Sequence, residues 1–529
     1  CISDWGFDFR PDYQRIARLL LELESGTPVL ATTATATSRV VDDLAEQLGS
    51  STTVIRGPLA RKSLRLAVVP HLTYGRRIAW VDEFLQTAEG SGIIYGLTVA
   101  VVEQLAAFLR ERGHDVEPYT GQTPPDVREE IEARLRANSL KAVVATSALG
   151  MGYDKPDLAF CIHVGSPDSP VSYYQQVGRA GRALDSAVGV LLPAGESDQE
   201  VWDWFATATL PDPEMAERLL QLLRQEPMKT AELVEALARS KGKVEVLLKQ
   251  LRVDGVVDLS GGRWVATGRP WRFDADKYDR IVDMRRREAG IMSSYALGQR
   301  CLMQLLTESL DDPASAPCGR CSVCTGELPH PGRAPDPAIV EMVYQSLRRR
   351  PVRITPRKLW PSGSGRKGKI AGIGIGRAIT GIDGGVYPEL VEETFGPDAS
   401  MSPELREAFA ELLARWRRED MPIVTAVVPV PSANHPVRVR ELAELAAAQL
   451  GLPVVEVLAQ PATVEEPVAG SGRLRQVTQR LQLQRMSGLA GTVLLVDDFA
   501  RSKWTLTQAA CLLQEIGADE VVPVVVVGV

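Results

Sequence analysis

The sequence contains no apolar run long enough to cross a lipid bilayer. Its longest stretches, such as residues 521–529, fall far short of the roughly 18 consecutive apolar residues that a span requires. The residues after Cys1 also lack the basic stretch, apolar segment and cleavage site of a secretory signal. We therefore expect a cytoplasmic protein with no membrane partner, associated with the nucleoid if its source is bacterial.

An excess of positive charge is also absent. The chain has 60 Lys and Arg against 67 Asp and Glu, a net charge of −7, which excludes a uniformly basic protein that coats nucleic acid. Basic residues cluster locally, because residues 343–380 hold ten Lys or Arg and no Asp or Glu. Residues 363–370 match the spacing of a phosphate-binding loop except that Ile370 replaces the Mg²⁺-binding hydroxyl, and no strand precedes them. We interpret this segment as a basic loop near DNA phosphates, with contacts from Lys367 and Lys369, or else as a solvated segment.

The length of 529 residues predicts three to four domains at about 150 residues each. Apolar strand segments alternate with amphipathic helical segments in residues 29–193 and again after residue 401. Such alternation predicts parallel sheets covered by helices, so we expect a multidomain α/β protein. Between these regions, three helical segments followed by two short apolar segments around residues 261–262 are typical of a winged helix.

Two arginines follow the last strand of the first α/β region. Residues 173–182 read YYQQVGRAGR, which gives the spacing Gln-x-x-Gly-Arg-x-x-Arg. A guanidinium group stabilises charge on a transferring phosphoryl group, and two arginines on one side of a helical turn can both face a nucleoside triphosphate. An Arg pair alone is usually a solvated face, but this one is joined by TSALGMG at residues 146–152 and TATA at residues 33–36.

In chain order, the segments at residues 33–36, 146–152 and 175–182 resemble motifs III, V and VI of the RecQ family of DNA helicases, and the strand at residues 92–95 resembles motif IV. The resemblance covers about residues 1–193 and implies RecA-like motor lobes that use ATP and Mg²⁺. The residues it implies are Gln175, Arg179 and Arg182 in the catalytic arginine motif, with Arg182 as the arginine finger, and Thr33 and Thr35 as links between the two lobes.

The opening residues resemble the aromatic-rich loop of the same family. Residues 3–13 contain four aromatics and one Arg, and exposed rings stack on bases whatever their sequence. The resemblance implies that Trp5, Phe9 and Arg10 couple DNA contact to hydrolysis. Phe7 stands where the family usually has His.

Two motifs of the family do not occur in this sequence. An Asp-Glu-x-His box normally precedes the aromatic loop, and a Gly-rich phosphate loop lies farther upstream. Cys1 begins just past the box and is not a starting Met, so we expect this chain to be the later part of a longer protein. By itself the chain lacks the residues that hold Mg²⁺ and the triphosphate.

A cluster of cysteines follows the winged-helix-like segment. The spacing of these residues predicts a tetrahedral structural Zn²⁺ site with four thiolate ligands, since free thiols would leave the doubled Cys-x-x-Cys unexplained. The RecQ family has a similar zinc cluster after its motor, but there the winged helix normally follows the cysteines. The expected ligands are Cys301, Cys318, Cys321 and Cys324. Phosphate contacts from the winged-helix-like segment would come from Lys241, Lys243 and Lys249, unless these form a solvated face.

Paired carboxylates end an apolar strand near the carboxyl terminus. Residues 493–505 resemble the phosphoribosyl-pyrophosphate loop of type I phosphoribosyltransferases, and residues 401–529 loosely resemble ComF-like proteins. Because Arg501 and Lys503 stand where that pattern has Thr and Gly, we expect a repurposed fold that binds a nucleotide or a DNA end. The loop at residues 428–436 is expected to line the same cleft, unless it is only a solvent-exposed turn. Candidate residues are Asp497, Asp498, Arg501, Ser502, Lys503 and Thr505.

The resulting hypothesis is a RecQ-like ATP-dependent DNA helicase of DNA repair or recombination that moves 3′ to 5′ on single-stranded and partly duplex DNA. This chain alone is not expected to hydrolyse ATP. Alternatives are a phosphoribosyltransferase-type enzyme and a non-catalytic DNA-binding module. The expected domains are the remainder of the first lobe (1–58), the second lobe (59–207), a winged-helix-like domain (208–272), a helical zinc domain (273–328), a basic connector (329–395) and a phosphoribosyltransferase-like domain (396–529).

Overall fold

A computed structural model describes most of the chain as two compact units. Unit 1 comprises Cys1–Ala216, Val246–Asp258 and Ala266–Gln345, and unit 2 comprises Glu217–Glu245, Leu259–Val265 and Ser346–Val529. The described residues are 27–33, 35, 37–48, 52–150, 153–208, 210–237, 239, 241–350, 352–357, 360, 370–381, 387–459, 477–478, 480–484, 488–500 and 503–528.

Unit 1 contains a six-stranded parallel sheet with helices between its strands. In chain order the elements are α1 (Ser38–Leu48), β1 (Leu64–Val68), α2 (Tyr74–Thr87), β2 (Ser91–Gly96), α3 (Val99–Glu111), β3 (Val116–Tyr119), α4 (Pro125–Arg136), β4 (Ala142–Ala145), β5 (Leu158–Val164), α5 (Pro170–Val177), β6 (Ala187–Leu192) and α6 (Glu196–Ala208). The strand order is β1-β6-β5-β2-β4-β3, and every neighbouring pair is parallel. The parallel α/β architecture expected from the sequence is confirmed.

The centre of this sheet is buried on both faces, which explains its continuous apolar strands. All six residues of β2 are buried, and the side chains of Ile93 and Ile94 are fully inaccessible. Gly92 is required on this strand because a Cβ atom there would lie 2.2 Å from the ring of Phe160 on β5. The close approach of β2 to β5 therefore depends on the absence of a side chain.

Local sequence sets the ends of the helix that follows β5. Ser169 precedes α5, and its hydroxyl accepts a hydrogen bond from the backbone N–H of Ser172. Pro170 occupies the first helical position, where its missing N–H costs nothing. The helix ends at Val177, before Gly178, so the two motif arginines lie beyond the helix.

The segment after α6, predicted to be winged-helix-like, contains three helices and a two-stranded sheet among its described residues. These are α7 (Pro213–Gln225), α8 (Thr230–Leu237), α9 (Lys241–Val253), β7 (Val257–Ser260) and β8 (Arg263–Ala266). The strands β7 and β8 form a two-stranded sheet around Gly261 and Gly262, which both have positive φ. The division between the two units passes through this segment.

The segment that contains the four clustered cysteines has four helices: α10 (Ala275–Ala296), α11 (Leu302–Ser309), α12 (Ser322–Thr325) and, after the last cysteine, α13 (Pro337–Arg348). Met292 and Tyr295 of α10 belong to the same buried core as Leu66 of β1 and Tyr173 of α5. The cysteine segment is therefore packed against the sheet of unit 1.

Unit 2 contains a second, mixed sheet. Its elements in chain order are β9 (Val352–Ile354), β10 (Gly376–Gly381), α14 (Pro388–Phe395), α15 (Pro403–Glu419), β11 (Val424–Pro429), α16 (Pro436–Leu450), β12 (Leu458–Ala459), β13 (Gln482–Leu483), β14 (Thr492–Val496), β15 (Phe499–Ala500), α17 (Trp504–Glu515) and β16 (Glu520–Gly528). The order is β11-β14-β16-β10-β9, with β15 also pairing with β16, and β9 with β10 is the antiparallel pair.

Two cores cover the faces of this sheet. Val522 and Val524 of β16 pack into a core with Phe409 of α15. Val521 and Val525 of the same strand point to the other face, into a core that contains helix α17. The alternation follows the two-residue period of a strand and places helices on both faces.

Among the helices that the structure describes, none combines the length and the apolar character needed to cross a membrane.

Candidate functional site

Helix α5 brings two of the sequence-predicted motifs together. The side-chain amide of Gln175 on this helix donates a hydrogen bond to Thr35 Oγ1, at 3.1 Å, across a sequence separation of 140 residues. Thr35 is 5 % exposed, and its backbone N–H is bonded to Thr33 Oγ1 at 3.2 Å. The residues of motif III and of motif VI are thus in direct contact in unit 1.

Arg179 lies in the interior of unit 1. Its guanidinium Nη1 donates to the backbone carbonyl of Tyr153 at 2.6 Å, and the residue is only 8 % exposed. The Nε atom of Arg179 is buried without a hydrogen-bond partner among the described residues. This arginine therefore braces the loop that precedes β5.

Arg182 lies at the surface. The backbone N–H of its neighbour Gly181 donates to Leu158 O, which places Arg182 at the amino end of β5. Its Nη1 is 2.6 Å from Asp154 Oδ1, and the side chains are 42 % and 69 % exposed. Because exposed ion pairs contribute at most about 1 kcal/mol, an anionic ligand could displace Asp154 at little cost.

The two arginines therefore do not share the environment that their spacing suggested. Because α5 ends at Val177 and Gly181 has a φ of 67°, the chain turns back between them. Arg179 is directed inward and Arg182 outward, so the expected pair on one side of a helical turn is not what the structure contains.

Several predicted site residues lie outside the described part of the chain. They are Trp5, Phe9 and Arg10 of the aromatic segment, Lys367 and Lys369 of the basic segment, and Arg501 and Ser502 of the carboxyl-terminal loop. Their roles remain predictions.

The four predicted zinc ligands form one cluster. The Sγ atoms of Cys301, Cys318, Cys321 and Cys324 all lie within 4.8 Å of one another. Cys321 Sγ is 3.9 Å from that of Cys301 and 3.5 Å from that of Cys324. A zinc ion with four thiolates at about 2.3 Å has S–S edges of about 3.8 Å, so these separations fit a tetrahedral zinc site.

Backbone hydrogen bonds support thiolates in this cluster. The N–H of Cys318 lies 3.2 Å from Cys301 Sγ, and the N–H of Leu302 lies 3.4 Å from Cys321 Sγ. Burial opposes ionisation of Cys321, but hydrogen bonds from the N–H groups of Leu302 and Cys324 and from the thiols of Cys324 and Cys318 together lower the pKa of this thiol to about 7. Burial raises the pKa of Cys318 and of Cys324, so Cys321 is the thiol that ionises first among these three. A low thiol pKa favours metal binding near neutral pH.

The loops after β11 and β14 meet at the same edge of the sheet in unit 2, since these strands are parallel neighbours. Asp497 and Asp498 are each 6 % exposed, and Asp498 Oδ2 is 2.5 Å from Nδ1 of His435. The other ring nitrogen of His435 is 3.0 Å from the carbonyl oxygen of Gly396. Burial, followed by the charge of Asp498, raises the pKa of Asp497 well above its ordinary value.

Lys503, the residue before α17, differs from the residue expected in a phosphate-binding loop. Lys503 has a φ of 62°, a left-handed conformation in which the phosphoribosyltransferase pattern has Gly. Burial, with a smaller effect of the nearby Arg357 charge, lowers the pKa of its ammonium group. Thr505 follows in the first turn of the helix, half-buried. This edge thus combines buried acids with a cationic helix start.

No sequence pattern predicts a role for His163, although it contacts the arginine motif. Its Nε2 is 2.8 Å from Gln176 Oε1, and burial lowers its pKa to about 4. The contact depends on the packing of α5 against β5, which no local pattern encodes. His435 lies in the loop at residues 428–436, and its contact with Asp498 is not predictable from local sequence because the two residues are 63 positions apart.

Part of unit 1 is similar to known proteins. Residues 76–184 match the family model described as the helicase conserved C-terminal domain. The ATP-dependent DNA helicase RecQ of Bacillus subtilis is 38 % identical over 185 residues, which cover 34 % of this chain and 31 % of that protein. RecQ of Synechocystis is 29 % identical over 347 residues, covering 61 % of this chain and 69 % of that protein.

A solved structure of the Mycobacterium smegmatis helicase Lhr, bound to ssDNA and AMP-PNP, is 20 % identical with a TM-score of 0.33 and covers 54 % of this chain and 42 % of that one. The chain spans about a third or less of the length of the first curated relatives that it matches. It contains a helicase C-terminal domain and is homologous to RecQ-family ATP-dependent DNA helicases over part of its length.

Proposed function

We propose that the intact protein is a RecQ-like ATP-dependent DNA helicase and that unit 1 contains its second motor lobe. The observation that carries this proposal is the Gln175–Thr35 hydrogen bond, because it joins two helicase-like motifs that are far apart in sequence. The homology to RecQ helicases over part of the chain supports the same assignment. Movement in the 3′ to 5′ direction and a role in DNA repair or recombination are proposed by analogy.

Each described motif residue then has a distinct role. A partner lobe would hold ATP together with Mg²⁺, and the Mg²⁺ ion would neutralise phosphate charge. Arg182 would leave Asp154 to contact the triphosphate. Arg179 would hold the loop at Tyr153 rather than touch the nucleotide, because its guanidinium group is buried against that carbonyl. Gln175 and Thr35 would transmit movement between the lobes through their hydrogen bond.

Replacing Arg182 with Ala in the intact protein tests this proposal. We expect DNA-stimulated ATP hydrolysis to fall by about 10³-fold or more, since an arginine that stabilises the transition state is worth this much. Binding of a single-stranded oligonucleotide should change little. The measurement is steady-state phosphate release with and without oligonucleotide.

Arg134→Ala is the matched control for this experiment. Arg134 is also a partly exposed arginine of unit 1 in ion pairs, with Asp115 and Glu117, but it lies on α4. Its replacement should leave hydrolysis near the wild-type rate. Unchanged turnover in Arg182→Ala would refute the finger role, and an intact protein that never consumes ATP would refute the helicase.

We also propose a structural Zn²⁺ on the four cysteines and a DNA-facing role for the basic and aromatic segments. The thiol separations and the N–H···S contacts support the first of these. The second is supported by composition and resemblance, with single-stranded and partly duplex DNA as the partners.

For unit 2 we propose binding of a nucleotide or a DNA end at the carboxyl edge of its sheet. The buried Asp497–Asp498–His435 cluster favours a ligand site, while a lysine in place of Gly at position 503 disfavours phosphoribosyl transfer. Two alternatives remain. The first is a phosphoribosyltransferase, and the second is a DNA-binding module that catalyses no reaction.

Asp497→Asn separates these alternatives. If the domain is a binding site only, neither wild type nor variant should release pyrophosphate from phosphoribosyl pyrophosphate with any nucleobase, and the variant should change ligand affinity instead. Pyrophosphate release that the substitution abolishes would establish the transferase. DNA affinity that falls steeply with salt and ignores nucleotides would favour the simple binding module.

A further inference from the structure

A chain of buried aromatic contacts joins the cysteine cluster to the arginine-motif helix. Tyr295, near the end of α10, lies in the same core as Cys301 and Cys321 and is fully buried. Its hydroxyl donates to the hydroxyl of Tyr173 on α5 at 3.3 Å, and the two rings are 5.0 Å apart at 62°. The cysteine segment therefore contacts α5 through a specific polar pair.

The chain continues through α5 to β5. The ring of Tyr173 meets that of His163 edge-on at 4.7 Å, and His163 is bonded to Gln176, one turn after Tyr173. The thiol of Cys161 also donates to the backbone carbonyl of Gln176, at 3.6 Å. One side of α5 is thus held by buried groups, while Gln175 extends to Thr35.

We propose that the cysteine cluster positions α5 through the Tyr295–Tyr173 hydroxyl pair, so that Tyr295 is a positioning residue for the Gln175–Thr35 contact. Tyr295 is fully buried in an apolar core, and a buried hydroxyl without a partner is costly, so the pair selects one placement of α5 on α10. This inference rests on the proposed function only where it concerns ATP hydrolysis and the proposed Zn²⁺, whose presence the zinc content of the same protein establishes before chelation.

Hydrogen exchange of the 529-residue chain tests the positioning directly. Tyr295→Phe removes one hydroxyl and keeps the ring, so exchange of the α5 amides should rise by about two- to tenfold. Tyr173→Phe should do the same, and the double variant should add nothing further, because either change removes the same contact. Peptides of β2 should exchange as in the wild type.

Tyr278→Phe is the matched control, since Tyr278 is a buried tyrosine on the same helix that stacks on Phe273. It should leave α5 exchange unchanged. Chelation of the metal should raise α5 exchange in the wild type to the level of Tyr295→Phe. The proposal would be overturned if α5 exchanged at the wild-type rate in Tyr295→Phe, or if the effects of the two substitutions were additive in the double variant. It would also be overturned if exchange rose equally throughout the sheet, or if α5 did not respond to chelation.

The second measurement is ATP hydrolysis by the intact protein. Tyr295→Phe should lower kcat several-fold and leave KM for ATP near its wild-type value, because α5 would act on the reacting complex rather than on ATP binding. A changed KM with an unchanged kcat would contradict the positioning role. A wild-type protein without hydrolysis would refute the proposed function, whereas the exchange experiment would still decide the positioning of α5.

Discussion

Arg179 and Arg182 differ in what surrounds their guanidinium groups, and the difference determines what each can do. The first is buried against the Tyr153 carbonyl, so its loss would leave a buried acceptor without its donor. The second is paired with an exposed carboxylate and is available to a ligand. At the scale of residues, a three-residue spacing therefore separates a structural arginine from a candidate catalytic one.

His163 gives unit 1 a predictable response to acid. Burial lowers its folded-state pKa to about 4, whereas an unfolded His titrates near 6.5. The unfolded state therefore binds the proton first, and stability that is complete above pH 6.5 is lost as the pH falls to about 4. The total is on the order of 3 kcal/mol.

We expect His163→Gln to flatten this pH dependence. Gln cannot titrate and can still donate to Gln176, so the loss between pH 6.5 and 4 should be smaller by about 3 kcal/mol, even if the variant is less stable at pH 7. The measurement is the urea dependence of hydrogen exchange in β5 at several pH values. If stability fell equally with pH in the wild type and in His163→Gln, His163 would not be the group responsible for the loss.

Some site residues could be predicted from local sequence and others could not. The four cysteines were found because three of them share a tight loop whose spacing fits a metal. The Tyr295–Tyr173 and His435–Asp498 contacts were not found, because they join residues 122 and 63 positions apart. Such contacts depend on how helices pack on a sheet, and local sequence patterns do not reveal that packing.

At the scale of elements, the spacing of apolar residues and the residues that favour helix ends predict where helices begin and end. Pro125 and the helical spacing of the apolar residues after it predict a helix over residues 125–136, and α4 has those bounds. The apolar run at residues 454–458 predicts a strand, but the structure has only a bridge at Val454 and the short β12. There the apolar residues pack in a core, but extended pairing does not form, so apolar character alone overpredicts strands.

Gly92→Ala tests how tightly β2 and β5 pack. The added Cβ would meet the Phe160 ring at 2.2 Å and its carbonyl oxygen at 2.5 Å, and the backbone contact cannot rotate away. We expect unit 1 to lose about 1–3 kcal/mol of stability, as measured by urea-dependent hydrogen exchange of β2.

Gly121→Ala is the control for this substitution, because no atom lies within 4 Å of a Cβ built there. Its effect should stay within about 0.5 kcal/mol. Equal effects of the two substitutions would contradict the close packing of these strands.

At the scale of the whole molecule, the structure separates the chain into two units with their own sheets. The sequence predicted two α/β regions because the strand–helix alternation is interrupted after residue 208. The six expected domains remain predictions, and the packing of the cysteine segment into the core of unit 1 could not be read from the sequence.

Metal content can be measured on the whole chain. Protein purified without chelator should contain one zinc per chain, and Cys321→Ser should lose most of it, since Cys321 is fully buried within the cluster. Cys511→Ser should keep its zinc, because that cysteine is not part of the cluster. Atomic absorption that finds no zinc in the wild type would refute the site.

The central position of β16 has a consequence for synthesis on the ribosome. This strand lies between β14 and β10, yet β10 ends at Gly381 and β16 begins only at Glu520, 139 positions later. At about 5–20 residues per second, β10 waits roughly 7–28 s for its parallel neighbour. During that interval its open edge is a natural substrate for chaperones and an aggregation hazard for the nascent polypeptide.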